Sequence, residues 1–229
     1  MVANIGSLNE KSLHADLKRW YARPGDRIEV LVDGFVIDIV RGDLLIEIQT
    51  RNFSALKQKL ARLTAQHPVR LVYPIAQERW IVKLAGDEQG ILSHRKSPHR
   101  GGFTELFKEL VSFPQLLAQP NFSLEALLIR EEERRAYDGK RAWRRKGWVT
   151  QERRLIEVVE QRRFDTPADL AALLPSDLAS PFTTVDLAAA LGKPRRLAGQ
   201  MVYCLHKVGA LGRVGKQGRA MLYERQAGF

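Results

Sequence analysis

Leu13, Leu17, Trp20 and Tyr21 recur at helical spacing over residues 7–21, with Ser7 or Asn9 placed to cap the start and Pro24-Gly25 to end the run. Three β-rich runs follow at residues 27–32, 35–40 and 44–50. Asp33-Gly34 and Gly42-Asp43 separate them, pairs that accept positive φ and close hairpins, so the pattern predicts an antiparallel meander. Residues 53–65 return to helical spacing, with Ser54 as the cap, Leu56, Leu60 and Leu63 on one face and Pro68 beyond the end. Two more strand-like runs, 69–73 and 80–84, complete an order of helix, three strands, helix and two strands. A meander followed by a helical crossover implies an α/β sandwich built on a mixed sheet.

Beyond residue 85 the composition shifts to Gly, Ser, His, Lys and Arg. His94-Arg95-Lys96-Ser97-Pro98-His99-Arg100-Gly101-Gly102 reads as a linker or mobile basic loop. Helical spacing resumes over residues 103–117, Pro120 breaks it, and 124–129 reads as a further strand. Between residues 130 and 163, basic residues crowd around Trp143 and Trp148. The pattern predicts a helix over 150–162 and a short helix over 185–191 capped by Thr183 or Thr184. Gly192 makes a turn, and Pro194 opens a helix to about Val208. Residues 211–214 and 220–223 flank the turn Gly215-Lys216-Gln217-Gly218-Arg219.

At 229 residues, 45% hydrophobic and 28% charged, the chain can bury a core and is neither fibrous nor disordered in composition. No run reaches the roughly 18 to 20 apolar residues of a membrane helix, and the N-terminus has no secretory pattern. These features predict a cytoplasmic protein with no membrane partner. The single Cys204 excludes an intrachain disulfide and reads as a core residue. His14, His67, His94, His99 and His206 show no ligand spacing, and no nucleophile elbow, P-loop or dinucleotide fingerprint is present. A formal net charge of +11 and a pI near 10.0 point to a polyanionic partner, with nucleic acid foremost.

The sharpest constellation lies on the meander. A hairpin around Gly42 brings Asp38 alongside Glu47, and Glu47 and Gln49 share a strand face. Two carboxylates and an amide oxygen facing one point suit Mg²⁺ or Mn²⁺. Glu10 falls on the stripe of Leu13 and Leu17 in the first helix, where a carboxylate requires a partner. In order and spacing these residues resemble the PD-(D/E)xK nuclease superfamily over roughly residues 7–84. That family carries an acid on the first helix and Asp…(D/E)-x-K on the second and third strands. The resemblance implies metal-dependent phosphodiester hydrolysis, with Glu10, Asp38 and Glu47 as metal ligands and Gln49 positioning the water. Gln49 stands where the family usually has lysine, and Lys57 or Lys59 on the next helix is placed to replace that charge.

The C-terminal order resembles winged-helix DNA-binding domains over roughly residues 150–225. The resemblance implies contacts to DNA from Arg195, Arg196 and Gln200 near the start of the third helix and from Lys216 and Arg219 in the wing. The expected organisation is a nuclease-like domain at 1–95, a basic connector at 96–148 and a winged helix at 149–229. The cluster at 140–146, with Trp143 and Trp148, either tracks a phosphate backbone or forms a charged surface whose tryptophans pack inward. The expected function is a metal-dependent DNA endonuclease acting on DNA, with homodimerisation one route to cutting both strands. The alternative is a catalytically inactive nuclease-fold regulator that binds DNA, and a third class is a protein-interaction adaptor.

Overall fold

The computed structural model describes residues 12–85 and 90–226. Alternating apolar residues fold Arg27–Val32 (β1), Phe35–Arg41 (β2) and Leu44–Ile48 (β3) into the expected meander. The 3-10 turn Phe53–Leu56 and helix α2 (Lys57–Leu63) then carry the chain to β4 (Val69–Leu84). β3 and β4 run parallel, with Glu47 opposite Leu71 and Ile48 opposite Val72. A parallel pair requires such a crossover, because a tight turn reverses strand direction. The sheet order is β1-β2-β3-β4-β6-β7, with β5 (Ile91–Lys96) pairing to β4, β6 at Phe122–Tyr137 and β7 at Trp148–Phe164. The fold is therefore α/β with a mixed sheet.

The chain divides into two compact units. One comprises the chain through Asp26 with Pro74–Gly102 and Leu127–Gln161; the other comprises Arg27–Tyr73, Phe103–Ala126 and the chain from Arg162.

In the first unit, helix α1 (Ser12–Tyr21) buries Leu13, Leu17 and Tyr21 at i, i+4 and i+8. Trp20, expected on that stripe, is 45% exposed. Ser12 Oγ donates to the Arg153 carbonyl, and Leu155 N donates to Asp16 Oδ2 at 3.0 Å, so α1 is tied to the β7 backbone. Two expectations are overturned in this unit. The stretch read as a linker or mobile loop contains β5, antiparallel to β4 with Trp80 opposite Lys96 and Val82 opposite His94. Its polar composition is that of a solvated strand, and Lys96 and His94 both approach the Trp80 ring. Residues 150–162 form part of β7 instead of a helix. Glu, Gln and Arg there favour helix, but a neighbouring strand and cross-strand pairs such as Arg130 to Glu157 (2.5 Å) outweigh that propensity.

In the second unit, Ile37, Ile39, Ile46, Ile48 and Leu71 are buried with Leu60 and Leu63 of α2. Phe53 stacks on Phe113 with ring centroids 5.3 Å apart and meets Tyr73 edge-on at 4.9 Å. The helix expected over 103–117 is instead a series of short turns, with only α3 (Phe107–Leu110) α-helical and 3-10 turns at Phe103–Leu106 and Pro114–Ala118. After the short helix α4 (Pro167–Ala171), α5 (Thr184–Leu191) is capped by Thr183, whose hydroxyl accepts from Asp186 N while Asp186 accepts from Thr183 N. Gly192 supplies the left-handed φ of 58° that turns the chain into α6 (Arg195–Lys207). A hairpin of β8 (Leu211–Gln217) and β9 (Ala220–Arg225) follows, and Tyr223 pairs in both directions with Phe182. No described helix is long and apolar enough to cross a membrane.

Candidate functional site

The β2–β3 ladder runs from Arg41↔Leu44 to Ile39↔Ile46. At the next position along the hairpin stand Asp38 and Glu47. There Ile48 N donates to Asp38 Oδ2 at 2.8 Å, so a side-chain carboxylate satisfies the amide and is held in place by it. Glu47 is 5% exposed, with Ile46 and Ile48 buried on either side of it in sequence. Burial first, and then the charge of Asp38, push the Glu47 carboxyl up to about 7, although a lysine lowers it.

That lysine is Lys59. Its Nζ lies 2.6 Å from Glu47 Oε1 and donates to the Val36 carbonyl at 2.6 Å. α2 therefore returns a cation to the strand pair it follows. Of the two lysines the sequence offers, only Lys59 is seen at the pair; Lys57 borders a cavity of about 440 Å³ with Gln115, Gln119, Tyr203 and Lys207. Burial of Glu47, with the Asp38 charge beside it, raises its carboxyl more than Lys59 lowers it, so the ionised group is poorly solvated negative charge. A divalent cation would discharge it, so this donor pair fits Mg²⁺ or Mn²⁺. Among the described residues no group of three or more His, Cys, Asp or Glu side chains is placed to hold a metal ion. Glu10 lies outside the described residues.

Gln49 follows β3. Its backbone N donates to Val72 O at 2.9 Å, and its side-chain amide donates to Asn52 O at 3.2 Å. Asn52 has a left-handed φ of 59° at the start of the 3-10 turn, which brings its carbonyl within reach. The glutamine is thus engaged by the turn that leads into α2.

The C-terminal residues named from sequence lie on α6 and its hairpin. Arg195 and Arg196 are exposed in the first turn of α6, Gln200 is half-buried, and Lys216 and Arg219 are exposed on the hairpin. The buried side of the helix carries Leu197, Met201, Cys204 and Leu205. Burial pushes the Cys204 thiol up to about 12, which agrees with a core role. The structure adds Tyr203, 45% exposed, with Lys207 Nζ 5.9 Å from its ring centroid. Helical spacing from Arg196 would have flagged both.

A second carboxylate pair, both members buried, escaped the sequence reading. Glu131 and Glu133 on β6 are each 1% exposed. Arg79 Nε lies 2.5 Å from Glu131, Arg135 Nε lies 2.9 Å from Glu133, and Thr150 Oγ1 donates to Glu133 at 2.6 Å. Burial would raise the Glu133 carboxyl, but the hydrogen bonds from Arg135 and Thr150 and the charges of Arg135 and Arg79 hold it below the ordinary carboxylate range. The i, i+2 alternation of Glu131 and Glu133 was visible; the distant Arg79 that completes the cluster was not.

A domain of unknown function, DUF8091, matches residues 11–165, which contain both carboxylate pairs. The chain belongs to the DUF8091 family. A protein of Treponema pallidum (strain Nichols) described as uncharacterized is 30% identical over 97% of this chain and 88% of its own length. That likeness extends beyond the DUF8091 match into the segment that holds α5 and α6. No solved structure matches.

Proposed function

We propose that the chain is a metal-dependent DNA endonuclease. The observation that carries the reading is the Asp38–Glu47 pair. Two carboxylates meet on adjacent strands, one of them buried and pushed up to about 7, and a lysine from the following helix contacts the buried one. Enzymes arrange burial and like charge in this way where chemistry is performed. Asp38 and Glu47 would hold the metal, with Glu10 as the third acid of the resemblance to PD-(D/E)xK nucleases. When bound, Mg²⁺ would supply Lewis acidity toward water and phosphate oxygen. The Ile48 amide fixes the Asp38 carboxylate. Lys59 holds positive charge at the pair, where it can attract a phosphate oxygen in place of the missing motif lysine.

DNA as the substrate is supported by the net charge of +11 and by the exposed Arg195, Arg196, Lys216 and Arg219. The order α5, turn, α6 and hairpin supports a winged helix whose α6 enters the groove. Gln49 favours a second reading, because its amide is engaged by Asn52 O. In that reading the site is catalytically inactive and the chain is a DNA-binding regulator.

The test is incubation of the purified protein with supercoiled and linear DNA in Mg²⁺ or Mn²⁺, beside folded Asp38→Ala, Glu47→Ala and Lys59→Ala variants. The nuclease reading expects cleavage by the parent and a loss on the order of a hundredfold or more in each carboxylate variant. Salt-sensitive DNA binding without cleavage, across both metals and both substrates, would replace it with the regulator.

A further inference from the structure

The connection between β6 and β7 supplies none of the residues described at the Asp38–Glu47 pair. It carries Trp143, which at 80% exposure is the most exposed large apolar side chain among the described residues. Between residues 138 and 147 there are five basic residues, Lys140, Arg141, Arg144, Arg145 and Lys146, against the single acid Asp138. All five are exposed.

The turn is built, not loose. Asp138 N donates to Gly147 O at 2.9 Å, Arg145 N to Ala142 O at 2.7 Å and Lys146 N to Trp143 O at 3.0 Å. Asp138 Oδ1 accepts from the amides of Lys140 and Arg141, both at 3.2 Å. Ala142 and Lys146 hold left-handed φ values of 54° and 53° on either side of the 3-10 turn Trp143–Arg145. A Cβ at Gly147 would lie 2.7 Å from Tyr137 Cε2, so the base of the turn fits only glycine there. Tyr137 meets Trp148 edge-on at 5.6 Å, with Lys83 Nζ 4.4 Å from the Trp148 ring centroid. Arg145 anchors back through Thr150 Oγ1 at 2.9 Å. Trp148 and Tyr137 brace the hairpin, and Trp143 is left at its end with the Arg144 guanidinium 5.1 Å from its ring.

The geometry points to this hairpin as a second nucleic-acid contact, in which Trp143 stacks on an unpaired base and Lys140, Arg141, Arg144 and Lys146 meet the adjoining phosphates. A duplex offers phosphates to cations but keeps its base faces covered. An exposed aromatic ring at the tip of a braced hairpin, surrounded by cations, therefore finds a complete partner where bases are open, in a single strand, an overhang or a splayed junction. An anionic membrane would satisfy the cations as well. A membrane anchor, however, gains from several apolar side chains at one level, and this tip offers one. The inference rests on the reading that DNA is the partner and deepens it by naming the form of DNA that is held.

The experiment is fluorescence anisotropy with labelled oligo-dT, a blunt duplex and the same duplex carrying a single-stranded overhang. It compares the full-length parent with Trp143→Ala, Trp143→Leu and a Lys140→Gln/Arg141→Gln/Lys146→Gln triple variant. Both Trp143 variants are expected to lose on the order of tenfold in affinity for oligo-dT and the overhang, and less than about twofold for the blunt duplex. Oligo-dT should quench the parent's tryptophan fluorescence, and the variants should lose that quenching. The triple variant should flatten the salt dependence by about 2 in slope on oligo-dT. Unchanged oligo-dT affinity in both Trp143 variants would overturn the hairpin contact while leaving duplex cleavage untouched. Failure of the parent to bind any DNA would overturn both readings. Trp143-dependent oligo-dT binding without cleavage would keep the hairpin and remove the nuclease. A blue shift of the tryptophan emission on adding phosphatidylcholine–phosphatidylserine vesicles, lost in the Trp143 variants and with no quenching by oligo-dT, would overturn the inference in favour of a lipid surface. Trp143 is 80% exposed and contributes no buried core, so the circular dichroism of each Trp143 variant should match the parent.

Discussion

Glu47 and Glu133 are the same residue in nearly the same burial, 5% and 1% exposed, each inside a β-strand, and their carboxyls move in opposite directions. Glu133 sits among Arg79, Arg135, Arg145 and the Thr150 hydroxyl, which more than offset the cost of taking it out of water. Glu47 has Lys59 on one side and Asp38 on the other, and burial wins. Depth alone therefore says little about the role of an acid. The ratio of cations to carboxylates around it separates a strut from a site that a metal could complete.

The contrast can be broken most violently at Arg79. Arg79→Ala strips Glu131 of its guanidinium and Glu133 of one of three, leaving buried negative charge, and should cost about 3–5 kcal/mol in urea unfolding. Glu47→Gln comes next and has the opposite sign. Because the Glu47 carboxyl is raised in the fold from 4.5 to about 7, the folded chain binds more protons than the unfolded chain between those values. Stability should therefore fall as pH rises through that window, by as much as about 3 kcal/mol, when measured in a chelator. Glu47→Gln should remove that slope and leave the protein more stable at pH 8. Glu133, held low, should produce the reverse: its contribution is present at neutral pH and disappears as pH falls below the ordinary carboxylate range.

Lys59→Ala should cost less than Arg79→Ala, about 1–2 kcal/mol near neutral pH, because Glu47 can take up a proton when its lysine is gone. Pushing the Glu47 transition to higher pH would be the signature, read by the same unfolding series. The smallest effect should come from Glu157→Gln on β7, whose pair with Arg130 is about half exposed on both sides and should be worth under about 1 kcal/mol. A cost at Glu157 equal to that at Arg79 would erase the distinction between buried and open pairs.

The legible parts of this fold were those set by neighbours in sequence. Asp33-Gly34 and Gly42-Asp43 announce the meander, and its register follows from alternation, so Asp38 meets Glu47 where expected. Thr183, Gly192 and Pro194 mark α5 and α6 because caps and turns are local. The illegible parts depended on distant partners. Residues 150–162 carry a helix-forming composition and become a strand through pairing and cross-strand ions. Runs 69–73 and 80–84 are one sixteen-residue strand, held extended through a Pro-Ile-Ala-Gln-Glu-Arg stretch whose last residue is fixed by Glu131. Lys59 stood out from Lys57 only once α2 had been laid beside β3.

The two units alternate along the chain, with transitions after Asp26, Tyr73, Gly102, Ala126 and Gln161. β4, β6 and β7 each contribute residues to both. No single breakpoint in the gene can therefore donate one unit intact to another protein, and a recombination event that exchanged either unit whole would also have to supply a matching part of each shared strand. The molecule must be inherited, and engineered, as one piece.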